Sequence, residues 1–354
     1  MSNRADRIKG SIFGVAYGDA LGAEAEFMDL PAILKRWGPG GPRELEGDPA
    51  LITDDTQMAT AVGEAFVQTF ARPALTVNGV QRDLSDAFAA WFHSSDNTRA
   101  PGLTCLGAAA RLSQGFAWQQ CTIVHSKGCG ANMRVTPVGL IDLPEGLTTA
   151  DGASVTHSAL AQMQAALTHG HPTALAAADL TAHATRCLLE GMAPGDLLET
   201  LQAYAERERF TYHEKWLGML WEESQGVDTP SQFIAQGWSE CARSLKAVER
   251  ALENPKPEMD PCEQVGGGWI AEEALAAALL SFLLFPNSPV DALNRAAVSR
   301  GDSDSIAAIT GAFTGATHGF DAFPASWYGV IETRERLDAL ASALHKIGSP
   351  VAAS

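Results

Sequence analysis

Four glycines, Gly10, Gly14, Gly18 and Gly22, recur every fourth residue within the small, apolar run IKGSIFGVAYGDALG at positions 8 to 22. The run shows no strand alternation, so it reads as a buried helix carrying one bare stripe. Glycine inside a helix costs ~1 kcal/mol relative to alanine. A stripe of them is explained most simply by a second helix lying close against it. Asp19 stands beside the stripe, with Glu24 and Glu26 beyond it. An aspartate among such small residues usually has a partner or a function.

Two acidic clusters constrain the chain next. Thr53-Asp54-Asp55-Thr56 and, about 250 residues later, Gly301-Asp302-Ser303-Asp304-Ser305 each precede an apolar periodic run. Met58, Val62, Ala65 and Phe66 follow the first at helical spacing; Ile306, Ile309, Ala312, Phe313 and Ala316 follow the second. Either cluster alone reads as a helix start, because Asp, Ser and Thr oxygens accept orphan N–H groups and suit the helix dipole. Taken together they allow a sharper reading. If the two starts face each other, four carboxylates converge, and Arg300 is the only basic neighbour in either stretch. Carboxylates and hydroxyls are the hard oxygen ligands that Mg²⁺, Mn²⁺ or Ca²⁺ prefer, so a two-metal site stands beside the capping reading.

The rest of the pattern is also helical. The spacing predicts helices over 84–93, 103–112, 154–167, 173–189 and 268–285, two or three amphipathic helices between 190 and 262, and another over 289–299. Residues 29–52, rich in Pro and Gly, read as loop with at most a short helix. Almost no alternating strand pattern occurs, so the expectation is all-α: one compact domain of orthogonally packed helices over 1–345, with a disordered tail at 346–354.

A net charge of −17 argues against a broad nucleic-acid surface and against anionic membranes, though not against a small anionic ligand in a local pocket. The longest apolar run, Ala274 to Phe285, has 12 residues, well short of the ~20 that span a bilayer. Six cysteines without C-x-x-C or zinc spacing read as reduced thiols, and residues 1–9 lack a signal-peptide core. A cytoplasmic protein is expected.

Other chemistries fit less well. His169 and His171 have no third ligand at zinc spacing. A terpenoid-synthase D-D-x-x-D motif fails at Met58, no adjacent His-Asp pair occurs, and no G-x-S-x-G elbow is present. The glycine-rich stretch Gly128 to Pro137 lacks G-K-[ST] and G-x-G-x-x-G, and on its own reads as a tight turn.

The ordered set of motifs resembles the ADP-ribosylglycohydrolase family. It comprises Gly18-Asp19-Ala20-Leu21-Gly22 with Glu26, Thr53-Asp54-Asp55-Thr56, Pro101-Gly102, Gly128 to Pro137, Thr168-His169 with Pro172, Gly268-Trp269-Ile270-Ala271-Glu272-Glu273, and Gly301-Asp302-Ser303-Asp304-Ser305. The resemblance implies an all-helical fold with a binuclear Mg²⁺ or Mn²⁺ centre in a central cleft that holds ADP-ribose. By that resemblance, Thr53, Asp54, Asp55, Asp302, Asp304 and Ser305 are metal ligands, and Glu26 sits at the mouth of the site. Gly128, Cys129, Gly130, Asn132, Met133, Arg134, His169, Gly268 and Trp269 line the ADP-ribose pocket. The family commonly reads G-D-T-D-T, where this chain has serines, and carries Asn where Cys129 stands.

In such a site Asp55 or Glu26 accepts a water proton and Asp304 bridges the cations. The expected partner is ADP-ribose or an ADP-ribosylated protein. The expected activity removes ADP-ribose from protein side chains, arginine first. An O-glycosidic hydrolase acting on ADP-ribosylserine or O-acetyl-ADP-ribose is the alternative, and a non-catalytic ADP-ribose-binding relative is a third.

Overall fold

The glycine stripe meets the second acidic helix. In the computed structural model, which describes residues 2–38 and 40–348, helix Arg4–Ala23 packs antiparallel against helix Ser303–His318. A Cβ built on Gly14 would lie 2.1 Å from the Gly311 carbonyl oxygen, and one on Gly311 would lie 1.9 Å from that of Gly14. Gly10 faces Gly315 and Gly18 faces Ala307 just as closely. The bare stripe brings two backbones together, and two hydroxyls fasten them: Ser11 Oγ donates to the Ala312 carbonyl at 3.0 Å and Ser303 Oγ to that of Gly22 at 2.9 Å. This register delivers the end of the first helix, with Asp19 and Glu26, to the start of the second, with Asp302 and Asp304.

Among the described residues there are eighteen α-helices and no sheet, only isolated bridges such as Ile123 with His169 and Gly128 with Ile270. The all-α expectation holds. A continuous core that includes Ile8, Phe13, Met58, Phe66, Phe282 and Phe313 unites helices from both ends of the chain. No helix among the described residues is long and apolar enough to cross a membrane.

Three features differ from the sequence reading. The helix expected over 84–93 runs Val77–Phe92, because Thr76 accepts the Gly79 N–H as a cap and Val77 and Val80 are buried; these gains override the weak helix preference of Val-Asn-Gly-Val. Two further helices, Ala325–Val330 and Arg334–Lys346, follow the second acidic helix. The second of these extends through Lys346, Ile347 is buried, and Gly348 packs against the Asp142 backbone. Residues 346–348, expected in the tail, are thus packed onto the fold, and 349–354 lie outside the described residues.

Candidate active site

The first acidic helix, Asp54–Phe70, is set in place by a buried carboxylate on its neighbour. Asp19 accepts the Thr53 backbone N–H at 3.0 and 3.1 Å, the Thr53 hydroxyl at 2.8 Å, and both the N–H (3.1 Å) and hydroxyl of Thr56. Asp19 thereby satisfies two orphan donors of the helix start and fixes the rotamer of Thr53. Because the Thr53 proton goes to Asp19, a lone pair on its oxygen is free, and that oxygen lies 3.4 Å from Asp304 Oδ2. Asp54 Oδ2 accepts the Gly102 N–H at 3.3 Å, which accounts for the Pro101-Gly102 turn.

On the facing helix, Asp302 occupies the N-cap position but makes no capping bond with its side chain. Asp304 Oδ1 accepts the Ser305 N–H at 2.9 Å. Carboxylate oxygens of Glu26, Asp302 and Asp304 lie within 4.8 Å of one another. Asp55 Oδ1 is buried and has no hydrogen-bond partner. Burial first, then repulsion from Asp304, lifts Asp54 to about 8 and Glu26 to about 9. Asp55 and Asp302 are pushed up for the same two reasons, and Asp19 rises to about 7. Five of these acids, Glu26, Asp54, Asp55, Asp302 and Asp304, face one cleft that no Lys or Arg side chain lines among the described residues. With one oxygen left unpaired, they fit a divalent metal centre better than a set of helix caps. All the donors are hard oxygens, as Mg²⁺ or Mn²⁺ requires.

These acids form the floor of a cleft of about 480 Å³. Asp54, Asp55, Asp302, Asp304, Ser305 and Glu26 line it, as do Gly128, Cys129, Gly130, Met133, His169 and Trp269. Thr53 lines an adjoining hollow instead, with its hydroxyl 3.4 Å from Asp304. Three residues expected in the pocket lie elsewhere. Arg134 is fully buried in the core, where Gln164, Thr168 and the Phe88 ring hold its guanidinium. Asn132 is also fully buried and donates to the Ala271 carbonyl at 3.1 Å. Both follow the short turn Cys129–Ala131. Gly268, at φ +81, is a backing residue: a Cβ there would strike Cys262 Sγ at 2.6 Å, and its carbonyl receives the Asp302 N–H. The Cys129 thiol is held protonated by burial, so it offers the cleft a weak donor rather than a thiolate.

Some cleft residues escaped the sequence reading. Phe27, at φ +63 and 71% exposed, stacks on Trp269 with ring centroids 5.8 Å apart. Leu103 and Thr104 line the opposite rim. An isolated aromatic after an acid carries no sequence signal; only the positive φ marks it. Lys127 braces the loop by pairing with Glu240 and Glu272 at 2.7 and 2.8 Å, and Glu273 accepts the Gly268 N–H at 3.1 Å. Glu273 therefore holds the turn that carries Trp269, and Glu272 ties down Lys127 beside the glycine loop.

A model of the ADP-ribosylglycohydrolase family matches residues 1–351. The chain is similar to ADP-ribosylhydrolase ARH3 of Bos taurus, with 26% identity covering 96% of this chain and 93% of that one. It is similar to ADP-ribosyl-[dinitrogen reductase] glycohydrolase of Rhodospirillum rubrum, 25% identical over 95% of each chain. It is also similar to ADP-ribosylarginine hydrolase Tri1 of Pseudomonas putida, 24% identical over 96% of this chain and 78% of the relative. A solved ADP-ribosylglycohydrolase-related protein complex shares the fold, with a TM-score of 0.65 at 24% identity, covering 98% of this chain and 99% of that one.

Proposed function

The chain belongs to the ADP-ribosylglycohydrolase family, and on that premise we propose that it is a metal-dependent hydrolase that frees ADP-ribose from modified protein side chains, with arginine as the acceptor. The unpartnered Asp55 oxygen among the converging acids supports the metal centre. Thr53, Asp54, Asp55, Asp302, Asp304 and Ser305 would hold two divalent cations, Mg²⁺ or Mn²⁺. When bound, such cations anchor ribose hydroxyls and make a nearby water more acidic.

The chain's own residues supply the rest. Gly128, Gly130 and Trp269 bound the space for the ligand, and His169 faces it across the glycine loop. Glu26 and Asp55 stand where a water proton can be taken up. The water's hydroxyl bonds to the anomeric carbon, the carbon–nitrogen bond breaks, and the proton passes to the departing guanidine nitrogen.

The choice of arginine rests on a second hollow of about 560 Å³ that adjoins the cleft at Glu26, Phe27 and Ala100. Glu24, Glu26 and Glu46 line it, together with Arg99, whose charge is paired with Glu332. Glu24 and Glu46 already hold one guanidinium, that of Arg36, at 2.8 and 2.7 Å, with the Trp37 ring beneath it. Carboxylates on the far side of the scissile position suit a cationic leaving group, whereas a serine hydroxyl needs none.

The test is parallel incubation with ADP-ribosylated arginine, serine and nucleic-acid substrates, with and without Mg²⁺ or Mn²⁺. Metal-dependent release from arginine is expected. Glu46→Gln should raise KM for the arginine substrate several-fold and leave any serine activity unchanged. Preferential release from serine would overturn the acceptor assignment, and turnover in verified metal-free protein would overturn the metal centre.

A further inference from the structure

Arg134 is a buried cation without a carboxylate among its hydrogen-bond partners. Its Nε donates to Gln164 Oε1 at 2.8 Å, and its Nη1 meets Cys105 Sγ at 3.6 Å and Met58 Sδ at 3.7 Å. Its Nη2 donates to the Gln164 carbonyl and to Thr168 Oγ1, both at 2.8 Å, and the guanidinium lies 4.3 Å from the Phe88 ring centre. Taking a guanidinium out of water is costly. A hydrophobic residue of similar volume would fill the core more cheaply, so the charge calls for a purpose.

That purpose follows from counting protons. A guanidinium can only donate, so Thr168 Oγ1 accepts from Arg134. The single Thr168 proton then has two acceptors within reach: His169 Nδ1 at 2.8 Å and the Ala165 carbonyl at 3.5 Å. The shorter bond takes it. That direction leaves Nδ1 unprotonated; the reverse would leave the Thr168 proton only the 3.5 Å contact with Ala165. Burial, and next the Arg134 charge, hold His169 neutral by lowering its pKa to about 3. A neutral imidazole carries one proton, which therefore sits on Nε2. Nε2 is the nitrogen beside the glycine loop: a Cβ built on Gly130 would lie 3.4 Å from it and one on Gly128 3.5 Å. His169 lines the cleft there.

We propose that Arg134 is a positioning residue: through Thr168 it locks His169 in the Nε2–H tautomer, so the cleft always presents a hydrogen-bond donor to an acceptor oxygen of its ligand. The identity of that oxygen, on ADP-ribose, rests on the function proposed above; the tautomer does not.

The first measurement needs no ligand. In the full chain labelled with ¹⁵N-histidine, two-bond ¹⁵N–¹H correlation should show an unprotonated Nδ1 and a protonated Nε2 for His169, assigned by the signals lost in His169→Gln. A protonated Nδ1 would overturn the relay. Thr168→Val removes the hydroxyl at nearly constant volume and should release the tautomer into a mixture. It should also raise the ADP-ribose Kd by the reciprocal of the Nε2–H fraction that remains, about twofold for an even mixture. Thr168→Ser should restore both. Should Thr168→Val keep a pure Nε2–H tautomer, the relay fails. Should the wild-type tautomer be as stated while calorimetry finds no ADP-ribose binding, the relay stands and the ligand assignment falls.

Discussion

Thr53 gives both its backbone N–H and its hydroxyl to Asp19, at 3.0 and 2.8 Å, and Asp19 does not line the cleft at all. The aspartate is an orienting residue for the acidic helix start. Asp19→Asn keeps the volume but turns an amide toward donors that need an acceptor. Outer-shell partners of this kind typically contribute 10–100-fold to metal affinity, so Mn²⁺ binding measured calorimetrically should weaken by about that range. Unchanged affinity would reduce Asp19 to a helix cap.

The Gly14–Gly311 contact gives a second prediction. Alanine at 311 would drive a methyl into the Gly14 backbone at 1.9 Å, where no flexible side chain can yield. Overpacking typically costs 1–3 kcal/mol, and here a loss of roughly 3 kcal/mol or a failure to fold is expected. Gly107, in helix Leu103–Ser113 with nothing within 4 Å, is the control. Gly107→Ala should raise stability by up to ~1 kcal/mol through helix propensity. Equal melting temperatures for the two variants would contradict the close packing.

The raised carboxyls predict how pH acts on metal-free protein. Folded Asp19, Asp54 and Glu26 hold their protons up to about 7, 8 and 9, whereas unfolded carboxyls release theirs near pH 4. The folded state binds more protons across that window. The stability linked to these groups is therefore fully present below about pH 4 and is lost as pH rises through about 7 to 9. Cations bind the ionised form, so at one fixed concentration of Mg²⁺ or Mn²⁺ the rise in Tm should be larger at about pH 9 than at about pH 6; where the free cation reaches a hundred times Kd the stabilisation is ~2.7 kcal/mol. Melting curves insensitive to either cation at both values would mean the acids serve only as caps.

The parts of this architecture that repeat or pair within the sequence could be read from it. The glycine stripe announced a close helix partner, and Gly311 and Gly315 supply it; the two acidic starts suggested their own convergence, which Asp19 brings about by holding Thr53 within 3.4 Å of Asp304. What stayed hidden depends on rotation about the chain. In Gly128 to Pro137 the string gives Met133 and Arg134 equal claim to the pocket, but after the turn at Cys129–Ala131 Met133 reaches the cleft and Arg134 the core. Asp19 stood out as an acid among small residues, yet its partner lies 34 positions away and has no local signature. Helix Arg334–Lys346 went unread because Thr333, its N-cap, adopts φ +56 and makes no capping bond.

Asp304 is the position at which hydrolysis and binding should separate. It is buried, raises Asp19, Asp54, Asp55, Asp302 and Glu26 by its charge, and lies on the face shared by both acidic helix starts. Asp304→Asn keeps the side-chain oxygen that accepts the Ser305 N–H, so stability should change by at most ~1 kcal/mol. It removes the charge best placed to be shared by two cations, so at least one metal should be lost. The rate should fall by the 10²–10³-fold typical of deleting one charge-stabilising group. Affinity for ADP-ribose should fall far less, because the Gly128–Gly130 loop, His169 and Trp269, which line the same cleft, are left unchanged. A second consequence distinguishes this from a general loss of structure: with one charge gone, Glu26 and Asp54 should titrate closer to the ordinary carboxylate range, and metal-free Asp304→Asn should lose less stability than the parent as pH rises. Near-parent turnover together with an unaltered pH profile would show that the charge at 304 is not shared between two cations, and the two-metal centre would have to be given up.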